Sequence, residues 1–177
     1  MRTLLLLTTT AALCLGQPAD TKSISGHARV LQAMVKGNII KAAEKMPADD
    51  YSFRPTPDIR SYAELIAHIA DANYMFCSVS LGEKNPGMKL EDAVKKDAAS
   101  KPKAAIVEAL TASFAYCDKA FTALTDQNAS EVLKMFGERP RIGVLSFETS
   151  HDFEHYGNIV TYLRMKKIVP PSSERSN

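Results

Sequence analysis

Two histidines, His151 and His155, lie four positions apart in the stretch SHDFEHYGNIVTYLRMKK, residues 150–167. Positions i and i+4 of a helix share a face, so both imidazoles can bind one divalent cation. His68 is the natural third ligand, because its helical pattern turns it toward the interior, where bundle proteins build metal sites. His27 lies at the start of the first predicted helix and is left out of the site. The spacing alone leaves a second interpretation open, in which these are hydrogen-bonded core histidines or surface histidines.

Carboxylates near the histidines are candidates to orient an imidazole or to act as a base. Glu148 lies three residues before His151 and Glu154 three residues after it, and these two are the better candidates. Asp71 and Asp152 also lie three residues from a histidine, but we expect them to be solvated helix charges. The sequence therefore indicates three metal ligands with acidic residues close by.

Other kinds of site are disfavoured. A di-iron carboxylate centre needs a Glu-x-x-His motif on each of two helices, whereas Glu64 lies four residues before His68. No C-x-x-C-H motif for haem attachment occurs. The net charge of +2, with both signs mixed along the chain, gives no case for nucleic acid or for a membrane surface. The partner that the sequence favours is therefore an unknown small-molecule substrate.

The first twenty residues, MRTLLLLTTTAALCLGQPAD, have the pattern of a targeting segment. Arg2 precedes an apolar run from Leu4 to Leu15, which is too short to span a bilayer and is followed by small residues. The pattern predicts a signal peptide over residues 1–17, export to the periplasm, and no stable membrane insertion after cleavage. An uncleaved anchor helix is the alternative.

Two cysteines, Cys77 and Cys117, remain after removal of the signal peptide. Neither has a neighbouring motif that would activate it as a nucleophile. Because an exported protein works in an oxidising compartment, we predict that these two cysteines form a disulfide.

Four long helical patterns stand out, and little of the chain is typical of strands. Ser61 and Glu64 fit a capping box for the second helix, Gly82 ends it, and Pro102 falls in the first turn of the third. The four patterns cover residues 25–45, 61–82, 100–124 and 142–167, with short helical turns near 90–100 and an irregular link over 125–141. We therefore predict an all-α protein, a four-helix bundle in one domain over residues 24–171, with a disordered tail over residues 172–177.

Two segments of the chain resemble the DinB/YfiT-like superfamily of bacterial four-helix-bundle metalloproteins. They are RPTPDIRSYAELIAHIADANYMFC around His68 and SHDFEHYGNIVTYLRMKKIVPPSS around His151 and His155. The resemblance covers nearly the whole chain after the predicted signal peptide. It implies that His68, His151 and His155 bind a divalent cation such as zinc or nickel. It also implies an up-down-down-up bundle, and a homodimer is compatible with it because some members are dimers.

The resemblance leaves the reaction open. Characterised members include thiol-dependent S-transferases and a mycothiol-dependent isomerase, but low-molecular-weight thiols of this kind are cytosolic and this chain is predicted to be exported. The expected function is that of a metal-dependent hydrolase or transferase with an unknown substrate. The alternative is a non-catalytic periplasmic module for metal binding or stress response, which would need a fourth protein ligand if the metal were structural.

Overall fold

Four helices and one short hairpin make up the part of the chain that the computed structural model describes, residues 21–89 and 100–174. The predicted signal peptide and the helical turns predicted near residues 90–99 lie outside the described residues. The elements are α1 (Ile24–Lys45), α2 (Tyr62–Leu81), α3 (Lys103–Ala123), β1 (Val132–Lys134), β2 (Glu138–Pro140) and α4 (Arg141–Met165), with 3-10 turns at Ala48–Asp50, Pro86–Lys89 and Pro171–Ser173. The prediction of an all-α four-helix bundle is confirmed.

The ends of α2 form as the sequence predicts. The Ser61 side chain accepts a hydrogen bond from the Glu64 N–H, and the Glu64 carboxylate accepts one from the Ser61 N–H at 2.7 Å. Gly82 ends the helix at φ 69°, a left-handed conformation that glycine adopts without steric cost. The helix α3 starts slightly later than predicted, because Pro102 has extended backbone (ψ 138°) and precedes the helix instead of lying in its first turn.

The link between α3 and α4 is more regular than predicted. Residues 132–134 and 138–140 form an antiparallel hairpin in which Leu133 pairs with Arg139. Its tip holds Phe136 at φ 48° and Gly137 at φ 100°, so two successive residues turn the chain in the left-handed region. Three residues per strand give too few alternating positions to show a strand pattern, and the interpretation of this link as irregular was wrong.

Hydrogen bonds at the helix ends fix the directions of α1, α2 and α3. The Tyr62 hydroxyl at the start of α2 donates to the Ala42 carbonyl near the end of α1, at 2.8 Å. The Lys103 ammonium at the start of α3 donates to the Glu44 carbonyl at 2.6 Å. Both helices therefore run antiparallel to α1 and parallel to each other.

Two contacts fix α4 against α2. The Tyr162 hydroxyl near the end of α4 donates to the Arg60 carbonyl just before α2, at 2.5 Å. At the opposite end, the Arg141 guanidinium donates to the Ser80 carbonyl near the end of α2. Thus α4 runs antiparallel to α2 and parallel to α1, and the up-down-down-up topology is confirmed.

Within the described ranges, no helix combines the length and apolar character needed to cross a membrane.

A disulfide joins the parallel helices α2 and α3. Cys77 and Cys117 are bonded, with their Cα atoms 5.2 Å apart and both side chains completely buried. The predicted disulfide is therefore confirmed. Apolar side chains surround the bond, including Leu145 of α4, so it lies inside the bundle core.

The chain after α4 folds back on the bundle. The Tyr156 hydroxyl donates to Ser172 Oγ and accepts from the Ser172 N–H, each at 2.9 Å. The described chain continues to Glu174, which pairs with Lys45 of α1. Ordered structure therefore extends beyond Pro171, where the predicted tail begins.

Replacement of both bonded cysteines by alanine should lower the free energy of unfolding by about 4 kcal/mol, because the bond closes a loop with a sequence separation of 40 in the unfolded chain. Urea unfolding of wild type and the Cys77→Ala/Cys117→Ala variant would measure the difference. Thiol titration of the denatured, unreduced wild type serves as the control. Reaction of Cys77 and Cys117 in that titration would contradict the bond.

Candidate metal centre

Three imidazoles converge between α2 and α4. His151 Nε2 lies 3.2 Å from His68 Nε2 and 3.0 Å from His155 Nε2. His68 comes from the second turn of α2, and the other two come from one face of α4. The structure therefore brings together all three predicted ligands, and the same nitrogen atom of each ring points to the common centre.

The spacing of these nitrogens suits a metal ion. Zinc binds imidazole nitrogen at about 2.0–2.1 Å, which sets neighbouring nitrogens of a tetrahedral site about 3.3 Å apart. Without a cation, the lone pairs of three facing nitrogens repel, and one N–H proton can be shared by only two of them at a time. In the described part of the chain, no carboxylate or thiol joins this cluster within the 4.8 Å that encloses its ligand atoms. Among the described residues the donor set is thus three imidazoles, one fewer than the four protein ligands of a closed zinc site.

The surroundings of His151 and His155 favour the neutral rings, which is the form that binds metal. Burial, together with the adjacent His151, lowers the pKa of His155 to about 4. Burial also lowers the pKa of His151, against the charge of the exposed Glu154, which raises it. The Arg60 cation lowers both pKa values. Neutral imidazoles are therefore available well below pH 7.

Asn158 supplies a partner for the outer nitrogen of His155. Its side-chain amide nitrogen lies 3.3 Å from His155 Nδ1. With the amide turned by 180°, its oxygen would take this place and accept the Nδ1–H proton, which leaves the Nε2 lone pair for a metal, as in other histidine metal sites. The sequence analysis missed Asn158, although its position three residues after His155, on the same helix face, was a usable signal.

Asp152 and Glu148 lie inside the core and not on a solvated face. Both side chains are completely buried, so the expectation of a solvated Asp152 is wrong. Asp152 Oδ1 lies 3.8 Å from His151 Nδ1, beyond hydrogen-bond distance. A Glu148 carboxylate oxygen lies within 4.8 Å of both sulfurs of the disulfide. Glu148 therefore does not match the role of a base at the histidine cluster.

Burial raises the pKa of Glu148 well above its usual value, and the neighbouring Asp152 charge raises it further. Thr149 Oγ1 donates to the Glu148 carboxyl at 3.1 Å. Glu148 Oε1 and both carboxyl oxygens of Asp152 have no hydrogen-bond partner among the described residues. Burial also raises the pKa of Asp152 well above its usual value. These two acids, four residues apart on α4, thus form a protonated pair without a hydrogen bond between them.

An apolar cavity of about 500 Å³ opens on one side of the histidine cluster. His68 and His151 form part of its wall, and the rings of Phe76, Phe136 and Phe147 form much of the rest. The sequence analysis did not identify these phenylalanines, because they come from α2, the hairpin tip and α4 and share no local spacing. The cavity gives an apolar group direct access to two of the candidate ligands.

A second cavity, of about 530 Å³, lies on the His155 side and is more polar. Its walls include Arg60, Asp58, Asn158 and Tyr162. The histidine cluster therefore lies between an apolar cavity and a polar one.

The fold and the histidine cluster together define a class, the four-helix-bundle proteins with a three-histidine site between helices. The sequence of residues 35–159, more than half of the chain, matches the DinB superfamily, and the protein belongs to that superfamily. The predicted resemblance is thereby confirmed. A comparison with curated protein sequences finds no match.

Solved structures of low sequence identity share the fold. A DinB-like protein from Bacillus cereus ATCC 10987 is 18% identical, with a TM-score of 0.68 over 84% of this chain and 96% of that chain. A DinB-like protein from Bacillus subtilis, YjoA, is 18% identical, with a TM-score of 0.64 over 85% and 99% of the two chains. A mycothiol-dependent maleylpyruvate isomerase is 14% identical, with a TM-score of 0.63 over 76% of this chain and 60% of the isomerase.

Replacement of Glu148 by glutamine should stabilise the protein at pH 8 by about 1–2 kcal/mol, the cost of desolvating a poorly paired polar group. The raised pKa of Glu148 means that the folded state keeps a proton that the unfolded chain releases above pH 4.5. The contribution of Glu148 to the free energy of unfolding is therefore fully present below pH 4.5, and it falls as the pH rises toward the pKa of Glu148 in the folded state.

Urea unfolding at pH 4.5 and pH 8, in chelator, would measure the effect of Glu148→Gln. The gain should shrink toward pH 4.5, and the exposed Glu108→Gln on α3 should change little at either pH. A Glu148→Gln variant less stable than wild type at pH 8 would contradict the protonated pair.

Proposed function

We propose that the protein binds one divalent metal ion, zinc or nickel, through the Nε2 atoms of His68, His151 and His155. We further propose that it is a metal-dependent hydrolase or transferase that acts on a small molecule. The observation that carries the proposal is the convergence of three imidazoles at the wall of an open cavity, with His151 Nε2 lying 3.2 Å from His68 Nε2 and 3.0 Å from His155 Nε2.

A bound divalent ion would supply Lewis-acid chemistry at the free coordination position. The chain contributes the rest of the site. The three imidazoles direct their Nε2 atoms toward one centre, and the Asn158 amide lies against the outer nitrogen of His155. The phenylalanine walls exclude water on one side, while Arg60 places a cation beside the polar cavity on the other. This asymmetry would orient a substrate that has one apolar and one polar side.

The donor set favours an enzyme over a structural metal module. A structural site is closed by a fourth protein ligand. Among the described residues, the cluster of possible ligands at this centre consists of His68, His151 and His155. The fold shared with a mycothiol-dependent isomerase makes thiol transfer one of the reactions to test, beside hydrolysis.

We also propose that the protein is exported and works in the periplasm. The charged and apolar pattern of residues 1–17 supports this localisation, as does the Cys77–Cys117 bond, since disulfides persist in oxidising compartments. Expression of the full chain with a C-terminal tag in a Gram-negative host should give a periplasmic protein from which residues 1–17 have been removed, as read by intact mass. A full-length mass in the cytoplasmic fraction would contradict export.

Elemental analysis of the protein purified without chelator should find about one divalent ion per chain. His68→Ala, His151→Ala and His155→Ala should each lose most of it, because two imidazoles form a weak chelate. His27→Ala is the matched control, since His27 is exposed on α1 and belongs to no ligand cluster among the described residues. Wild-type protein that neither contains a metal nor takes up zinc or nickel would contradict the proposal.

A further inference from the structure

We propose that the apolar cavity beside His68 and His151 binds an uncharged group about the size of one aromatic ring, carried by the substrate next to its reacting atom. The part of this inference that concerns the reacting atom rests on the proposed function. The part that concerns the cavity and its specificity rests on the geometry of the described residues.

Three phenylalanines form a continuous row from the core to the surface. Phe76 is 1% exposed, and its ring centroid lies 5.8 Å from that of His151. Phe147 is next, 5.3 Å from Phe76, and Phe136 follows at 6.3 Å from Phe147. These separations are those of contacting aromatic rings. The row gives an apolar group a path of ring contacts that ends at a candidate metal ligand.

The outer two rings are exposed to water, which is unfavourable in free energy, and a bound apolar ligand would cover them. Phe147 is 43% exposed and Phe136 67% exposed. Phe136 also has a φ of 48°. This left-handed conformation is unfavourable for any residue other than glycine, and it recurs at functional sites. The Arg139 guanidinium lies 5.5 Å from the Phe147 centroid, over the ring. The hairpin thus places an exposed ring beside the mouth of the cavity, where an apolar ligand would cover it.

The opposite wall depends on a close backbone approach. A β-carbon on Gly87 would lie 2.8 Å from the Tyr74 ring, so only glycine lets the Pro86–Lys89 turn lie this near α2. The turn contributes Gly87 to the lining of the cavity, whose volume of about 500 Å³ is enough for one substituted ring.

The charges around the two cavities decide which part of a substrate each one takes. Asp71 is the formally charged residue at neutral pH among the described residues that line the apolar cavity. The polar cavity on the His155 side contains the Arg60 cation as well as Asp58. An anionic group would lose its hydration against the phenylalanine rings, and it is therefore accommodated better beside Arg60 on the other side of the histidines.

The first test needs no metal. The neutral dye 1-aminoanthracene, whose fluorescence rises in apolar surroundings, is titrated into chelator-treated wild type and into the Phe147→Ala and Phe153→Ala variants. Phe153 is the matched control, because it is 37% exposed on the same helix and does not line the cavity. We expect Phe147→Ala to weaken dye binding about tenfold and Phe153→Ala to leave it unchanged. No dye binding by wild type, or equal binding by all three proteins, would overturn the inference.

The second test connects the cavity to the metal centre. Phenylacetohydroxamate, acetohydroxamate and the monohydroxamate of succinate are compared as competitors of the dye on zinc-supplied protein. The phenyl compound should displace the dye at least about tenfold more effectively than either of the others, since only it brings both a zinc-binding group and an uncharged ring. Equal displacement by the succinate compound would overturn the specificity for an uncharged group.

The two proposals fail in different ways. A protein that contains no zinc by elemental analysis would contradict the proposed function. The dye titration of the metal-free proteins would then still show whether the apolar cavity binds an uncharged ring. Zinc-loaded protein in which the phenyl compound competes no better than acetohydroxamate keeps the metal centre and overturns the ring-sized binding site beside it.

Discussion

The register between α2 and α4 is the constraint on which the site depends. His68 is on one helix and the other two histidines are on its antiparallel partner, so a shift of one residue along a helix would turn a side chain by about 100° and separate the three nitrogens. Contacts at both ends prevent such a shift. Tyr162 bonds to the Arg60 carbonyl at one end, and Arg141 bonds to the Ser80 carbonyl at the other. The histidines lie between these two fixed points.

Several polar side chains are buried in the same region of the core. Glu148 and Asp152 are completely buried, and the Asn73 amide donates to Ser113 Oγ at 3.2 Å in the interior. Buried carboxyls destabilise a fold unless they are protonated or well paired. A disulfide within 4.8 Å of Glu148 links α2 to α3 beside this group and offsets part of that cost. This contribution arises mainly because the bond restricts the unfolded chain.

The cluster also separates two chemical environments. Aromatic rings line the cavity on the His68 and His151 side, whereas Arg60 and other polar groups line the cavity beside His155. A centre between walls of different polarity discriminates between the ends of a substrate without any change of shape, because each end loses free energy in the wrong cavity. The fold places the histidine cluster at the boundary of the two.

The sequence by itself determined the helices, the capping box before α2, the disulfide partners and the three candidate ligands. The helices, the capping box and the His151–His155 pair depend on residue type and on neighbours within about four positions, which is the range over which helical spacing operates. The disulfide partners followed from the presence of two cysteines after the predicted signal peptide, and His68 from its place beside the apolar stripe of its own helix. Only the tertiary structure decided that Asp152 is buried, that Asn158 holds His155, and that Phe76, Phe136 and Phe147 share a cavity wall. Burial and convergence are set by the packing of segments distant in the chain. Local pattern therefore identified the ligands, and helix packing decided what surrounds them.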